Sequence, residues 1–90
     1  MNRDYLYFHK RICSANVSPS GVLVYKTLLS YANRKTWSCF PSINTIVNDS
    51  KLSRRTVIRQ LKVLEEEKLI IKIPRKRENN GNTSNIYFFN

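Results

Sequence analysis

Glycine is scarce in this chain, with two residues among ninety, and no cluster of them forms the glycine-rich loop that cradles a nucleotide phosphate. Histidine is scarcer still, His9 standing alone. No histidine–acid–nucleophile set can therefore be assembled, and no enzyme is expected. The two cysteines, Cys13 and Cys39, are too few for a disulfide framework, and reduced thiols are expected of both. Together with His9 they are also too few, and too far apart, for a metal centre. No metal, cofactor or small-molecule ligand is expected. No apolar run approaches the ~18 residues of a membrane span. The opening Met1-Asn2-Arg3-Asp4-Tyr5 has no apolar stretch of the kind a signal peptide needs. The expectation is a cytoplasmic chain with no membrane partner.

Acidic residues are the last shortage, and the most informative one. Six Asp and Glu face sixteen Lys and Arg, a formal net charge of +10. A charge excess of that size attracts polyanions through several ångströms of solution. DNA, RNA, an anionic membrane and an acidic protein all qualify on charge alone. The hydrophobic fraction of 41% is ordinary for an ordered domain, and ninety residues build one core but not two. One domain over residues 1–90 is expected, its core in 17–90.

Residues 1–16 mix Tyr5, Leu6, Tyr7, Phe8, Ile12 and Cys13 with His9, Lys10 and Arg11, a pattern that fits either an extended arm or a short helix. The helical signals begin at Ser18-Pro19, a capping residue followed by a proline at the first helical position. Leu23, Val24, Leu28, Tyr31 and Ala32 follow at helical spacing, which predicts a helix over 19–33 closed by Asn33-Arg34-Lys35. Trp37 to Pro41 reads as a short extended piece, because Pro41 biases Phe40 away from helix. Ser42 is the next cap. Ile43, Ile46 and Val47 make one stripe of a second helix, with Asn48-Asp49-Ser50 as its stop and Leu52 tucked under the turn. Ser53 caps a third helix running to about Lys68, with Val57, Leu61, Leu64 and Lys68 on one face. The β-branched run from Leu69 predicts a strand, Pro74 confines it to an edge or a bend, Asn79-Asn80-Gly81-Asn82 forms a turn, and Ile86 to Phe89 returns. The fold class expected is α+β: a winged helix-turn-helix, with a three-helix core and a C-terminal β-hairpin wing.

In such a fold the third helix enters the major groove. With Val57, Leu61 and Leu64 inward, residues 100° apart place Arg55, Arg59, Lys62 and Glu66 outward, with Arg54 and Thr56 on the flanks. Arg54, Arg55 and Arg59 crowd the N-terminal half, and Glu65, Glu66 and Glu67 the C-terminal half. The helix dipole prefers the reverse by ~0.3–1 kcal/mol per charge near an end, so stability alone does not account for this order. Arginine matches the paired acceptors of guanine. Ser53 and the free amides at the helix start suit a phosphate, Thr56 suits either task, and Lys51 in the turn suits the backbone. A second basic cluster, Arg75-Lys76-Arg77, beside the wing turn, suits the phosphate backbone or a minor groove. The ten aromatic residues allow base stacking on single strands, but most fit core or hairpin packing.

The run Cys39-Phe40-Pro41-Ser42, Ile46, Leu52-Ser53-Arg54-Arg55-Thr56-Val57, Leu61, Leu64-Glu65 and Leu69-Ile70 resembles the winged-helix domains of phage and plasmid replication proteins and related bacterial transcriptional regulators. The resemblance extends from about Val17 to Tyr87. It implies that Ser53 to Val57 open the recognition helix, that double-stranded DNA is the partner, and that the chain is of bacterial, phage or plasmid origin. Relatives often carry glycine where this chain has Lys68, so an ending of the helix without a glycine cap is expected. A homodimer is one arrangement open to the chain, and a repeated half-site in the bound DNA would reveal it. A protein-interaction module using Tyr5 to Phe8 is the main rival reading. RNA binding ranks lower, because A-form grooves hide base edges from a helix.

Overall fold

Three serines set where the core helices begin. Ser18, Ser42 and Ser53 each hold an extended backbone, and each side-chain oxygen accepts the amide three residues on, from Gly21, Thr45 and Thr56. Capping of this kind satisfies a donor that the first helical turn leaves open. The computed structural model describes residues 5–74 and 85–90. Its elements in chain order are α1 (Tyr5–Ser14), α2 (Pro19–Ser30), β1 (Ser38–Cys39), α3 (Ile43–Ser50), α4 (Arg54–Glu66), β2 (Ile70–Pro74) and β3 (Asn85–Phe89). This is the expected α+β winged helix, with one further helix at the front. Arg75, Lys76, Arg77 and the turn expected at Asn79 to Asn82 lie outside the described residues.

Within residues 5–16 the short helix, not the arm, is what forms. Phe8 and Ile12, four residues apart, are fully buried and anchor α1 to the core, while Leu6 stays exposed. Phe8 packs against Trp37 and Phe89, with ring centroids 4.7 and 5.5 Å away. At the far end of α1, Nη2 of Arg11 donates to the carbonyl of Lys68 at 3.2 Å.

α2 is shorter than its apolar pattern suggests, and it is rotated. It ends at Ser30, with Tyr31 as its cap, and the buried stripe is Val24, Tyr25, Leu28 and Leu29. Leu23 and Tyr31, expected in the stripe, are exposed. The Tyr31 hydroxyl instead donates to the Asp49 carboxylate on α3. Gly21 leaves room for two side chains: a Cβ there would lie 2.2 Å from Cγ1 of Val17 and 2.8 Å from Oε1 of Gln60 on α4.

The end of α3 also differs from expectation. Asn48, Asp49 and Ser50 remain helical, and the helix stops at Lys51, whose backbone is left-handed at φ 63°. Turn-forming residues in a last helical turn do not end it; the residue that leaves the right-handed region does. Ser50 is buried, and its hydroxyl accepts the amide of Leu52.

α4 likewise ends before Lys68. Glu67 is its cap, and Lys68 is left-handed at φ 61°. The Lys68 amide donates to the Glu65 carbonyl at 3.0 Å and the Leu69 amide to the Leu64 carbonyl at 2.9 Å. This paired pattern is a Schellman ending, which normally places glycine at the left-handed position. Lysine occupies it here, so Lys68 is not part of the inward face. Its carbonyl accepts from Nδ2 of Asn90 at 2.8 Å as well as from Arg11.

The sheet is antiparallel in the order β1-β3-β2. β2 is an edge strand, as Pro74 requires. Ile70 pairs with Phe89 and Lys72 with Tyr87 on the face toward the helices; Ile71 pairs with Phe88 and Ile73 with Ile86 on the other. β1 adds Cys39 opposite Tyr87. Tyr25, Tyr87, Phe8 and Phe89 are all buried, which uses these aromatics in the core and not on a stacking surface. Among the described residues no helix is long and apolar enough to cross a membrane.

Candidate nucleic-acid interface

α3, the turn Lys51-Leu52-Ser53 and α4 form the helix-turn-helix unit. The left-handed Lys51 reverses the chain, and its amide still donates to the Val47 carbonyl at 3.0 Å. Leu52 packs on the core, so the turn is held from beneath. Ser53 then starts α4. Val57, Leu61 and Leu64 are buried and fix the rotation of the helix about its axis.

That rotation decides what α4 presents. Arg55, Arg59 and Lys62 are exposed, separated by four and three residues and so aligned along one face. From Arg55 to Lys62 the helix rises about 10 Å, roughly three base-pair steps. Among the described residues, none of these three side chains meets a hydrogen-bond or ion-pair partner. Lys51 is exposed in the turn and equally unengaged. These four lie where the sequence expectation put them. Glu66, also exposed, follows Lys62 on that face.

Three expected contacts are occupied within the protein. Nη1 of Arg54 donates to Oδ1 of Asn44 at 2.5 Å, tying the start of α4 to the first turn of α3. The Ser53 hydroxyl accepts the Thr56 amide at 3.2 Å and donates to Oγ1 of Thr56 at 2.9 Å. Ser53 is therefore first a cap, and Thr56 is half-buried beside it. The amides of Arg54 and Arg55 are the donors left open at this helix start, where the dipole favours an anion. α4 has no acidic residue in its first turn.

Toward the wing, the same helix forms one wall of a groove of about 380 Å³ lined by Ile43, Ile58, Leu61, Lys62, Lys72 and Tyr87, among others. Nζ of Lys72 on β2 stands 3.9 Å from Oε1 of Glu65, a half-exposed pair that joins wing and helix. Two residues here escape reading from the hydrophobic stripe alone. Asn44 matters through its grip on Arg54, which only the packing of α3 on α4 reveals. Ile58 is 51% exposed, an apolar side chain on the polar side of α4; counting 100° per residue from Val57 already sets it apart.

Burial pushes the Cys39 thiol up to about 12 and raises the phenols of Tyr25 and Tyr87 above their ordinary value. Of these groups Tyr87 lines the groove beside α4, and its raised phenol stays uncharged at neutral pH. Cys13 is exposed, and both cysteines are free thiols.

Neither a curated protein nor a solved structure matches the chain. Residues 15–70, more than half of it, match the helix-turn-helix domain family. The matched span runs from just before α2 to the start of β2 and includes the whole α3–turn–α4 unit. The chain belongs to the helix-turn-helix domain family, a membership that points to DNA binding in general.

Proposed function

We propose that the domain binds double-stranded DNA in a sequence-dependent manner, with α4 in the major groove and the wing on the sugar-phosphate backbone. The observation that carries this reading is the row Arg55, Arg59 and Lys62. Three exposed cations on one helix face have no protein partner among the described residues. A chain that needed them for stability would pair them, and the helix dipole opposes the cations near the N-terminal end. Arg55 and Arg59 read base edges, with Lys62 beside them. Lys51, the Thr56 hydroxyl and the open amides at the start of α4 meet phosphates, with Ser53 holding that start as its cap and Arg54 orienting it through Asn44. Arg75, Lys76 and Arg77 complete the contact from the wing.

The domain would serve as a transcriptional regulator or in replication initiation of a mobile element, in the cytoplasm of a bacterial host. The protein-interaction alternative loses its expected surface: Phe8 is buried and Tyr5 and Tyr7 pack against the core, with only Leu6 of that stretch exposed. Selection of bound sites from a random duplex library, followed by competition between matched DNA and RNA duplexes, tests the reading. A recovered consensus preferred as DNA supports it, and a repeated half-site would indicate a dimer. Recovery of random sequence with no salt-sensitive duplex affinity would refute it.

A further inference from the structure

Ile58 is the exposed apolar side chain on a helix face whose other exposed members are charged. It follows the buried Val57 and precedes Arg59, and one helical turn separates it from Arg54, Arg55 and Lys62 on its own surface. Half of it meets solvent. That exposed part lines the groove between α4 and the wing, beside the apolar Ile43, Leu61 and Tyr87 and the charged Lys62, Lys72 and Glu65. An apolar side chain whose exposed neighbours along the helix are all charged gains free energy when an apolar group covers it.

The major groove offers one kind of apolar group. Guanine, cytosine and adenine present acceptors and donors there, while thymine adds its C5 methyl. The arginines and Lys62 can meet acceptors; Ile58 can only be rewarded by carbon. We infer that Ile58 is a specificity-determining residue that packs against the C5 methyl of a thymine in the bound site, next to the base pairs met by Arg55 and Arg59. The inference rests on the proposal that α4 enters the major groove, and it adds a base identity that the cations cannot supply. Its side chain brings no donor or acceptor, so it discriminates by contact with the methyl and by leaving a polar base edge unpaired when thymine is replaced.

The test uses the full chain and the duplex recovered by site selection. Each thymine is replaced in turn by uracil, which lacks only the methyl, and binding is measured for the wild type, Ile58→Ala and Ile58→Val. The wild type should lose affinity by about 3- to 6-fold at one thymine, the size expected for one buried methyl. Ile58→Ala should bind the thymine and uracil duplexes equally, and Ile58→Val should retain most of the discrimination. Thermal unfolding midpoints close to that of the wild type are expected for both variants, since the side chain is half-exposed. Specific binding that is indifferent to uracil at every position overturns the inference and leaves the DNA-binding reading standing. The same uracil penalty in wild type and Ile58→Ala also overturns it, because another group then reads the methyl. A chain that binds no duplex overturns both.

Discussion

Lys68 stands where a Schellman ending normally has glycine, and replacing it should make the domain more stable. An L-residue in the left-handed region is disfavoured by roughly 1–2 kcal/mol, because Cβ crowds the following carbonyl. Glycine removes that crowding but gains freedom in the unfolded chain, which offsets roughly 0.5–1 kcal/mol. The side chain of Lys68 is exposed and makes no ion pair among the described residues; what the structure uses is its backbone, whose carbonyl accepts from Arg11 and Asn90. Lys68→Gly keeps all of those bonds. The net expectation is a gain of about 0.5–1 kcal/mol, or a rise in unfolding midpoint of roughly 2–8 °C for a domain of this size. Lys68→Ala is the control. It removes the same charge and the same side chain but keeps Cβ, so it should show no such gain. Thermal unfolding followed by circular dichroism at neutral pH reads the difference. Equal midpoints for the two variants, or a lower one for Lys68→Gly, would refute the argument that the conformation and not the side chain is the cost. Both variants should bind DNA alike, because Lys68 lies past the end of α4, which itself runs about 10 Å beyond Arg59.

Arg59→Ala should weaken binding to the selected site by ~1–3 kcal/mol and relax one base preference; unchanged affinity and preference would remove Arg59 from the reading face. Replacing Arg75, Lys76 and Arg77 together with Ala should lower affinity by similar factors on selected and random duplexes and flatten the salt dependence by up to ~0.9 per lost phosphate contact. An unaltered salt slope would take the wing off the backbone. Alkylation of the native protein should label Cys13, which is exposed, and spare Cys39, which is buried with its thiol pushed up to about 12; labelling of both without unfolding would contradict this burial. Tyr25→Phe should keep stability unchanged or raise it by about 1 kcal/mol, since the Tyr25 hydroxyl is buried with no partner among the described residues. Burial raises the phenol above its unfolded value near 10, so its contribution is whole below pH 10 and is lost as pH rises beyond it. Unfolding midpoints between pH 8 and 11 should therefore fall less steeply in Tyr25→Phe than in the wild type, and identical slopes would count against it.

The helix starts were legible because capping is local chemistry: Ser18-Pro19, Ser42 and Ser53 each announce a helix within a few residues. The strands were legible from β-branched composition, and the outward cations of α4 from its clean stripe of Val57, Leu61 and Leu64. The errors have physical causes. α2 is apolar over most of its circumference, so a period alone does not choose Val24, Tyr25, Leu28 and Leu29 over Leu23 and Tyr31; the neighbours choose. The ends of α3 and α4 depend on Lys51 and Lys68 turning left-handed, and lysine gives no local sign of that. The Arg54–Asn44 bond joins residues ten apart across two helices. Residues 5–14 were ambiguous because ten residues with mixed polarity form a helix only when Phe8 and Ile12 have a core to enter.

The strand order β1-β3-β2 bears on how the domain is made during synthesis. The central strand, β3, is the last of the three to leave the ribosome, and both outer strands wait for it. Until residues 85–89 emerge, the two-residue β1 has no neighbour, β2 exposes both edges, and the helices lack Tyr87 and Phe89 to close against. α3, the turn and α4 are complete well before that, so a basic helix-turn-helix unit is present on a nascent chain that cannot yet fold cooperatively. Emergence of β3 is then what completes the sheet. A chain ending at residue 84 should remain loosely packed and aggregation-prone, although every cation described on α4 is still in it.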